Sequence, residues 1–161
     1  MAIPTVQVDT VSRLLNRLSE ICDTGFALAV HIRYTRPSLL YRTYSQAWID
    51  EYTEKGFMLS DPVVIWGLGH DEWVRWDDLA ASDPVGVLTA ARANGLHNGW
   101  TNAVGAASSR TISGFTKSGA DFTPGQRAEM IDIVYQVHQL TNGIEAFSVE
   151  IMDTLRTINL Q

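Results

Sequence analysis

The amino-acid sequence predicts an α/β fold, a central and mostly antiparallel sheet of about five strands flanked by helices, and three observations carry that prediction. Helical apolar periodicity runs through both ends of the chain, β-rich runs occupy the interior, and the links between neighbouring runs are mostly of hairpin length, which joins strands antiparallel. At 161 residues, with no internal repeat, low-complexity segment or interior linker, residues 1–161 suit one domain, long enough to bury a sizeable core.

Each element has its own local cause. Val11, Leu14, Leu15, Leu18 and Ile21 share one face of a helix from Thr10 to Cys22, with Asp9 or Thr10 available as N-cap. Gly25 ends that segment, and Phe26 to Tyr34 is first nearly continuously apolar and then alternating, as in a central strand that runs toward an edge. Arg36-Pro37-Ser38 is expected to turn the chain, with Leu39 to Thr43 returning as the second strand of a hairpin. A helix from Ser45 to Lys55 stops at Gly56, a residue suited to the left-handed position after a helix. Asp61-Pro62 reads as an N-cap followed by proline at N1, opening a short helix through Val63, Val64 and Trp66. Asp83-Pro84 has the same form and is expected to open a helix through Val87, Leu88 and Ala91 to Asn94-Gly95. The stretch 71–79 reads as irregular or as a short strand, and strands are expected over Trp100 to Val104 and Arg110 to Thr116. Thr123-Pro124-Gly125-Gln126 is a capping box that opens a long helix bearing Met130, Ile133, Val134, Val137 and Leu140. Beyond Asn142-Gly143 the residues Ile144, Phe147, Ile151 and Leu155 extend an apolar stripe, as a kinked continuation or as a separate helix.

Composition excludes several classes of function. The net charge is -6 and no cluster of Lys or Arg occurs, so this chain alone lacks the basic footprint that a phosphate backbone demands. The longest apolar runs are too short to span a bilayer and the N-terminus has no signal-like segment, which sets the expectation of a cytoplasmic protein without membrane contact. A lone cysteine, Cys22, on an apolar helical stripe reads as packing in a reducing compartment. His31, His70, His97 and His138 are scattered without ligand spacing, so no metal is expected. No Gly-x-Ser-x-Gly elbow is present, and Gly95 and Gly99 do not form a phosphate fingerprint, so neither a catalytic residue nor a cofactor is expected.

What remains is the stretch from Tyr44 to Trp76. Tyr44, Trp48 and Tyr52 recur every four residues and so fall on one helical face. A stripe of that kind is ordinarily core, yet all three members carry a polar tip that needs a partner when buried, where Leu or Phe would fill a core without that need. Asp83 offers a control, because an Asp-Pro cap with no aromatic helix upstream is a cap and nothing more. Asp61 follows the ladder by nine residues, and an ionised carboxylate accepts only, whereas the indole and the phenols donate. Together they complement a ligand with carbonyls to accept and at least one N–H to give, inside a mostly apolar pocket.

At this point the residues resemble a known family. Tyr44-x3-Trp48-x3-Tyr52-x8-Asp61-Pro62-Val63-Val64, Trp76 fifteen positions after Asp61, and Gly95-Leu96-x2-Gly99-x-Thr101 are similar to the autoinducer-binding domain of LuxR-type quorum-sensing transcription regulators, over essentially the whole chain. The resemblance implies an α-β-α sandwich binding an N-acyl-homoserine lactone between the sheet and one helical layer. It implies that Trp48 donates to the lactone carbonyl, that Asp61 accepts from the ligand amide N–H, and that Tyr44 bonds the acyl carbonyl, with Ser113 a candidate for a second polar contact there. Tyr52 and Trp76 become walls around the head group, Tyr34, Val63 and Thr101 further lining, and Gly99 a structural position. Ser45 departs from the family, which often has proline directly after the first tyrosine, and that change bears on how the helix begins.

The family's DNA-binding helix-turn-helix domain is expected beyond Gln161 and is not in this chain, so DNA would be contacted only through that missing domain. Two readings of partners follow. In the first the chain is a homodimeric lactone sensor that controls transcription. In the second it is a DNA-domain-less partner that pairs with full-length relatives and blocks them, using the helix from Thr123 to Leu140 or the stripe after it. A third reading, a lactone hydrolase with Asp61 as base, finds no residue in the sequence to tune that carboxylate, so the chain is read as a binding module and not an enzyme.

Overall fold

The computed structural model describes residues 5–160. The chain runs α1 (Thr5–Ile21), β1 (Phe26–Arg33), β2 (Arg36–Arg42), α2 (Gln46–Glu54), α3 (Pro62–Gly69), β3 (Trp73–Arg75), α4 (Val87–Ala93), β4 (Trp100–Val104), β5 (Arg110–Phe115), α5 (Pro124–Leu140) and α6 (Val149–Arg156). Short 3-10 segments lie at Phe57–Leu59, Trp76–Ser82, Ala107–Ser109 and Ile144–Ala146. The five strands form one sheet in the order β2-β1-β5-β4-β3, and every neighbouring pair is antiparallel. The α/β sandwich read from the sequence is therefore the observed architecture.

The pleat divides the strands between two unequal cores. Phe26, Leu28 and Val30 of β1 and Phe115 of β5 pack with Val11, Leu15 and Leu18 of α1, Met130, Val134 and Val137 of α5, and Leu155 of α6. This is the large core, with most of these side chains fully out of water. The opposite face of the same strands offers smaller groups, Ala29, Ala103, Ile112 and Ile32, to α3. Ile32 reaches that side because β1 carries a bulge between Ala29 and Ile32, with His31 at φ 48, which reverses the alternation. Small residues on that face leave room for the bulky aromatic side chains of α2 and the segments after it.

Several elements differ from the sequence expectation for identifiable reasons. The hairpin turn is Tyr34-Thr35, with Arg33 opposite Arg36, so Arg36-Pro37-Ser38 is strand and not turn. Proline is tolerated there because β2 is the edge of the sheet, where a missing N–H costs no ladder bond. The first helix begins at Thr5, which puts Asp9 and Thr10 inside it instead of at its cap. Asp83 does not stand at the N-cap of α4: the helix starts at Val87 after Gly86, and the Asp83 carboxylate reaches forward to the N–H groups of Val87 and Leu88 at 2.8 and 2.9 Å. Beyond Gly143, which sits at φ 75, α6 is a separate helix capped by Ser148.

Candidate ligand site

Ser45 shapes the beginning of α2: its hydroxyl accepts from the Trp48 N–H and caps the helix, while Tyr44 stands just outside. Tyr44 lies against Gly25, where an added Cβ would come within 2.6 Å of the Tyr44 ring, and Gly25 also holds φ 114. Only glycine satisfies both conditions. One turn apart on α2, Trp48 and Tyr52 hold their ring centroids 5.7 Å apart in an edge arrangement, and Phe57 lies 6.0 Å from each. Val87, Ala91 and Leu96 complete the apolar surround of Trp48.

Asp61 is brought to the same place by the start of α3. One carboxylate oxygen accepts from the Val63 N–H at 2.9 Å, the N-cap bond expected of Asp-Pro, and the other accepts from the Tyr52 hydroxyl at 2.7 Å. The residue is 8% exposed. Burial raises its pKa, and the bonds from Tyr52 and Val63 oppose that rise. Burial also raises the phenols of Tyr52 and Tyr44, which keeps both hydroxyls protonated and able to donate. The Tyr44 hydroxyl donates to the Gly114 carbonyl at 3.2 Å. The Val64 N–H also bears on the Asp61 carboxylate, whose two oxygens together can accept about four bonds and so keep room for one more donor, and the Trp48 indole N–H donates to no acceptor among the described residues. An available donor and an available acceptor thus share one apolar enclosure.

Trp76 closes this enclosure on the side of β4. Its indole N–H donates to the Thr101 hydroxyl at 2.8 Å and its backbone N–H to the Gly99 carbonyl at 2.9 Å. Gly99 is required by packing, because a Cβ there would overlap the Trp76 indole. Val63 is buried with Leu79 and Leu88 beside Trp76. Tyr44, Trp48, Tyr52, Asp61, Val63, Trp76 and Thr101, all singled out in the sequence, accordingly come together between the sheet and the α2–α4 layer.

Two singled-out residues do not. Ser113 pairs with Leu28 and Asn102, and strand alternation turns it toward the α1–α5 layer, where its hydroxyl donates to the Asn102 carbonyl at 3.1 Å. Its neighbours Ile112 and Gly114 face the enclosure instead, the first meeting Gly67 of α3 and the second Tyr44 and Trp76. Tyr34 occupies the β1–β2 turn, 97% exposed, at the end of the hairpin opposite Tyr44. Phe57 carries no signal in the sequence, and Leu88 and Leu96, legible there only as a helix position and as part of the Gly95-Leu96 motif, join this surround because of how the loops fold back.

Among the described residues no group of three or more His, Cys, Asp or Glu is placed to hold a metal ion, and no helix is long and apolar enough to cross a membrane. Cys22 lies in the large core against the Met130 sulfur, with its thiol pushed up to about 12 by burial, far from the thiolate character a nucleophile needs.

Comparison with known proteins gives a consistent family assignment. The family model for the autoinducer binding domain matches residues 8–140. The regulatory protein SdiA of Escherichia coli (strain K12) is 35% identical over 74 residues, 44% of this chain and 30% of SdiA. The transcriptional activator protein VanR of Vibrio anguillarum is 33% identical over 69 residues, 42% of this chain and 29% of VanR. These matches thus span about a third of the curated relatives' length. Among solved structures, SdiA in complex with octanoyl-rac-glycerol superposes with a TM-score of 0.65 at 23% identity, covering 90% of this chain and 62% of that one. CepR2 from Burkholderia cenocepacia, described as an N-acylhomoserine lactone dependent LuxR family transcription factor, has a TM-score of 0.56 at 12% identity, covering 86% of this chain and 93% of that one. At these identities the structural likeness concerns the fold.

Proposed function

We infer that this chain, which belongs to the autoinducer-binding domain family of LuxR-type quorum-sensing regulators, binds an N-acyl-homoserine lactone in the enclosure between α2, α3, α4 and the sheet. The observation that carries the reading is the pairing of an unengaged indole donor, Trp48, with a buried carboxylate acceptor, Asp61, inside one apolar surround. A homoserine lactone presents the complement, a ring carbonyl for Trp48 and an amide N–H for Asp61. Tyr44 is in position to exchange its bond with the Gly114 carbonyl for one with the acyl carbonyl, and Trp76 and Tyr52 flank the ring. The acyl chain would extend along apolar surface, each buried methylene adding roughly 0.8 kcal/mol.

A ligand that binds the folded chain alone stabilises it by mass action, which links signal to the lifetime of the domain and to assembly of a homodimer. The companion LuxR-type helix-turn-helix domain would carry DNA contact, and the bound lactone would leave unaltered. As the second reading, a chain acting without such a domain would pair with full-length relatives as an antagonist. The test is thermal unfolding of the purified chain with N-acyl-homoserine lactones of six to twelve acyl carbons. A rise in Tm with at least one of them, followed by recovery of intact lactone on organic extraction, is expected. Absence of a shift throughout the series overturns the reading, and recovery of ring-opened product would restore the hydrolase alternative.

A further inference from the structure

Outside the enclosure described above, a cleft of about 110 Å³ lies against Trp76. Its mouth is polar, with Asp77, Thr89, Arg92 and Asn98 on the rim, and its floor is Trp76, Leu88 and Leu96. Leu96 and Trp76 belong equally to the aromatic enclosure around Trp48, and Leu88 packs with Val63 behind Trp76. The Trp76 indole is therefore shared between a polar-rimmed recess and the apolar enclosure. A polar-rimmed recess is a poor home for an acyl tail, because seating methylenes there would strip water from charged groups without replacing their partners.

The segment that bears Trp76 is weakly held. Trp76–Ser82 is a 3-10 run, whose hydrogen-bond geometry is poorer than that of an α-helix, and Leu79 is its one buried side chain. The chain then passes Asp83, whose carboxylate accepts from the Val87 and Leu88 N–H groups, to Gly86 at φ 81, the left-handed joint between the run and α4. Toward solvent the run is fastened by an ion pair, Arg92 Nη2 to Asp77 Oδ1 at 3.2 Å, which reaches across the cleft mouth to α4. By contrast α2 and α3 bury Trp48, Pro62 and Val63, and the sheet closes the remaining side. A short 3-10 run with one buried side chain, ending at a left-handed glycine, is the kind of segment that opens locally at low cost.

We propose that residues 76–86 are the door of the ligand site, that the cleft beside Trp76 is its vestibule, and that the Asp77–Arg92 ion pair is the latch that sets how fast the lactone enters and leaves. The proposal rests on the sensor reading above and adds the route and its control. Opening swings the 3-10 run about Gly86, draws the Trp76 indole off Gly99, and joins the vestibule to the enclosure. Closing restores the Thr101 bond. Because latch and rim lie outside the enclosure, they alter the height of the barrier and not the affinity.

The test uses two kinds of exposed substitution, Asp77→Asn and Arg92→Gln to release the latch, and Thr89→Trp to fill the vestibule. Hydrogen exchange without ligand is read first: amides of 76–86 should exchange faster than those of α2 and α3, and faster still in Asp77→Asn. Equal protection in the door and in α2 and α3 overturns the proposal whether or not lactone binds. Stopped-flow binding of N-octanoyl-homoserine lactone, followed by tryptophan fluorescence, is read next. Releasing an exposed ion pair should raise association and dissociation rates together by about two- to fivefold with Kd unchanged, and Thr89→Trp should lower both together. A parent that binds while its variants keep parental rates, or change Kd through one rate alone, overturns the door and leaves the sensor reading standing. A parent that opens by exchange yet binds no lactone of the series overturns the sensor reading and the door with it.

Discussion

Replacing Asp61 by asparagine separates its two roles, and the structure gives the size of each. As an N-cap, asparagine ranks with aspartate and keeps an oxygen for the Val63 N–H, so α3 should begin as before. Toward Tyr52 the bond to a charged acceptor becomes a neutral one, a loss of about 1 kcal/mol, and relief from burying a charge offsets it. The net change in stability should stay within about 1 kcal/mol, or a Tm shift of about 2–4 °C for a domain of this size. Ligand binding should respond far more. The carboxamide turns N–H groups toward the lactone amide, and an unsatisfied buried donor costs about 1–3 kcal/mol, which weakens Kd by about 5- to 150-fold. The pH dependence has a definite sign: because the folded pKa of Asp61 is raised, its favourable contribution is present when it is protonated and is lost as pH rises through the folded value. The Asp61→Asn variant should therefore gain stability relative to the parent as pH increases from about 4. Thermal melts across pH and isothermal titration with N-octanoyl-homoserine lactone measure both quantities. A variant that binds like the parent, or that fails to fold, refutes the assignment of this carboxylate.

Three further outcomes follow from neighbouring geometry. Trp48→Phe keeps a ring against Tyr52 and Phe57 and removes the uncommitted donor; it should weaken lactone binding by about 0.5–1.5 kcal/mol while Tm stays near the parent's, and unchanged affinity would remove Trp48 from the donor role. Gly99→Ala drives a methyl into the Trp76 indole and should destabilise by about 1–3 kcal/mol in urea titrations; full parental stability would show that the indole has other room. His31 and His138 stack with centroids 4.2 Å apart, each fastened through a ring nitrogen to Ser109 or Thr111. Burial, joined at His138 by the facing His31, lowers both, His138 to about 4, with Glu145 and Asp71 pulling upward and Arg33 opposing. A depressed histidine gives stability that is present above the unfolded pKa and lost as pH falls toward the folded one, so urea midpoints should drop between pH 6.5 and 4. His138→Gln should flatten that slope by on the order of 1–2 kcal/mol, a partly solvated ring giving less than the full linkage value; an unaltered slope would place the acid sensitivity elsewhere.

Much of this architecture was legible before any coordinates because its signals are local. The capping box at Thr123, the Asp61-Pro62 start of α3 and the Ser45–Gly56 limits of α2 depend on a few consecutive residues satisfying their own backbone groups, and all three stand where the sequence puts them. The misplacements have equally physical causes. The hairpin turns at Tyr34-Thr35 without the Asn-Gly or Asp-Gly that marks such turns, so Pro37 drew the turn two residues late. Asp83 caps at a distance, a loop conformation that Asp-Pro does not encode. Ser113 shows the sharpest limit: in a strand buried on both faces, nothing in Arg110–Phe115 distinguishes one side from the other, and a step of one residue changes the layer a side chain meets.

The sequence by itself determined the chemistry that this stretch offers: a donor-bearing aromatic ladder and, nine residues on, a carboxylate at a helix start. Spacing along a helix is enough for that, since periodicity places Trp48 and Tyr52 on one face whatever the rest of the chain does. Tertiary structure alone decided that Tyr52 would engage Asp61, that Trp48 would keep its donor free, and that Gly99 would make room for Trp76. Those outcomes rest on contacts between elements distant in the chain, where the fit of whole layers, and not the preference of any residue, fixes which polar tips meet and which are left without a protein partner.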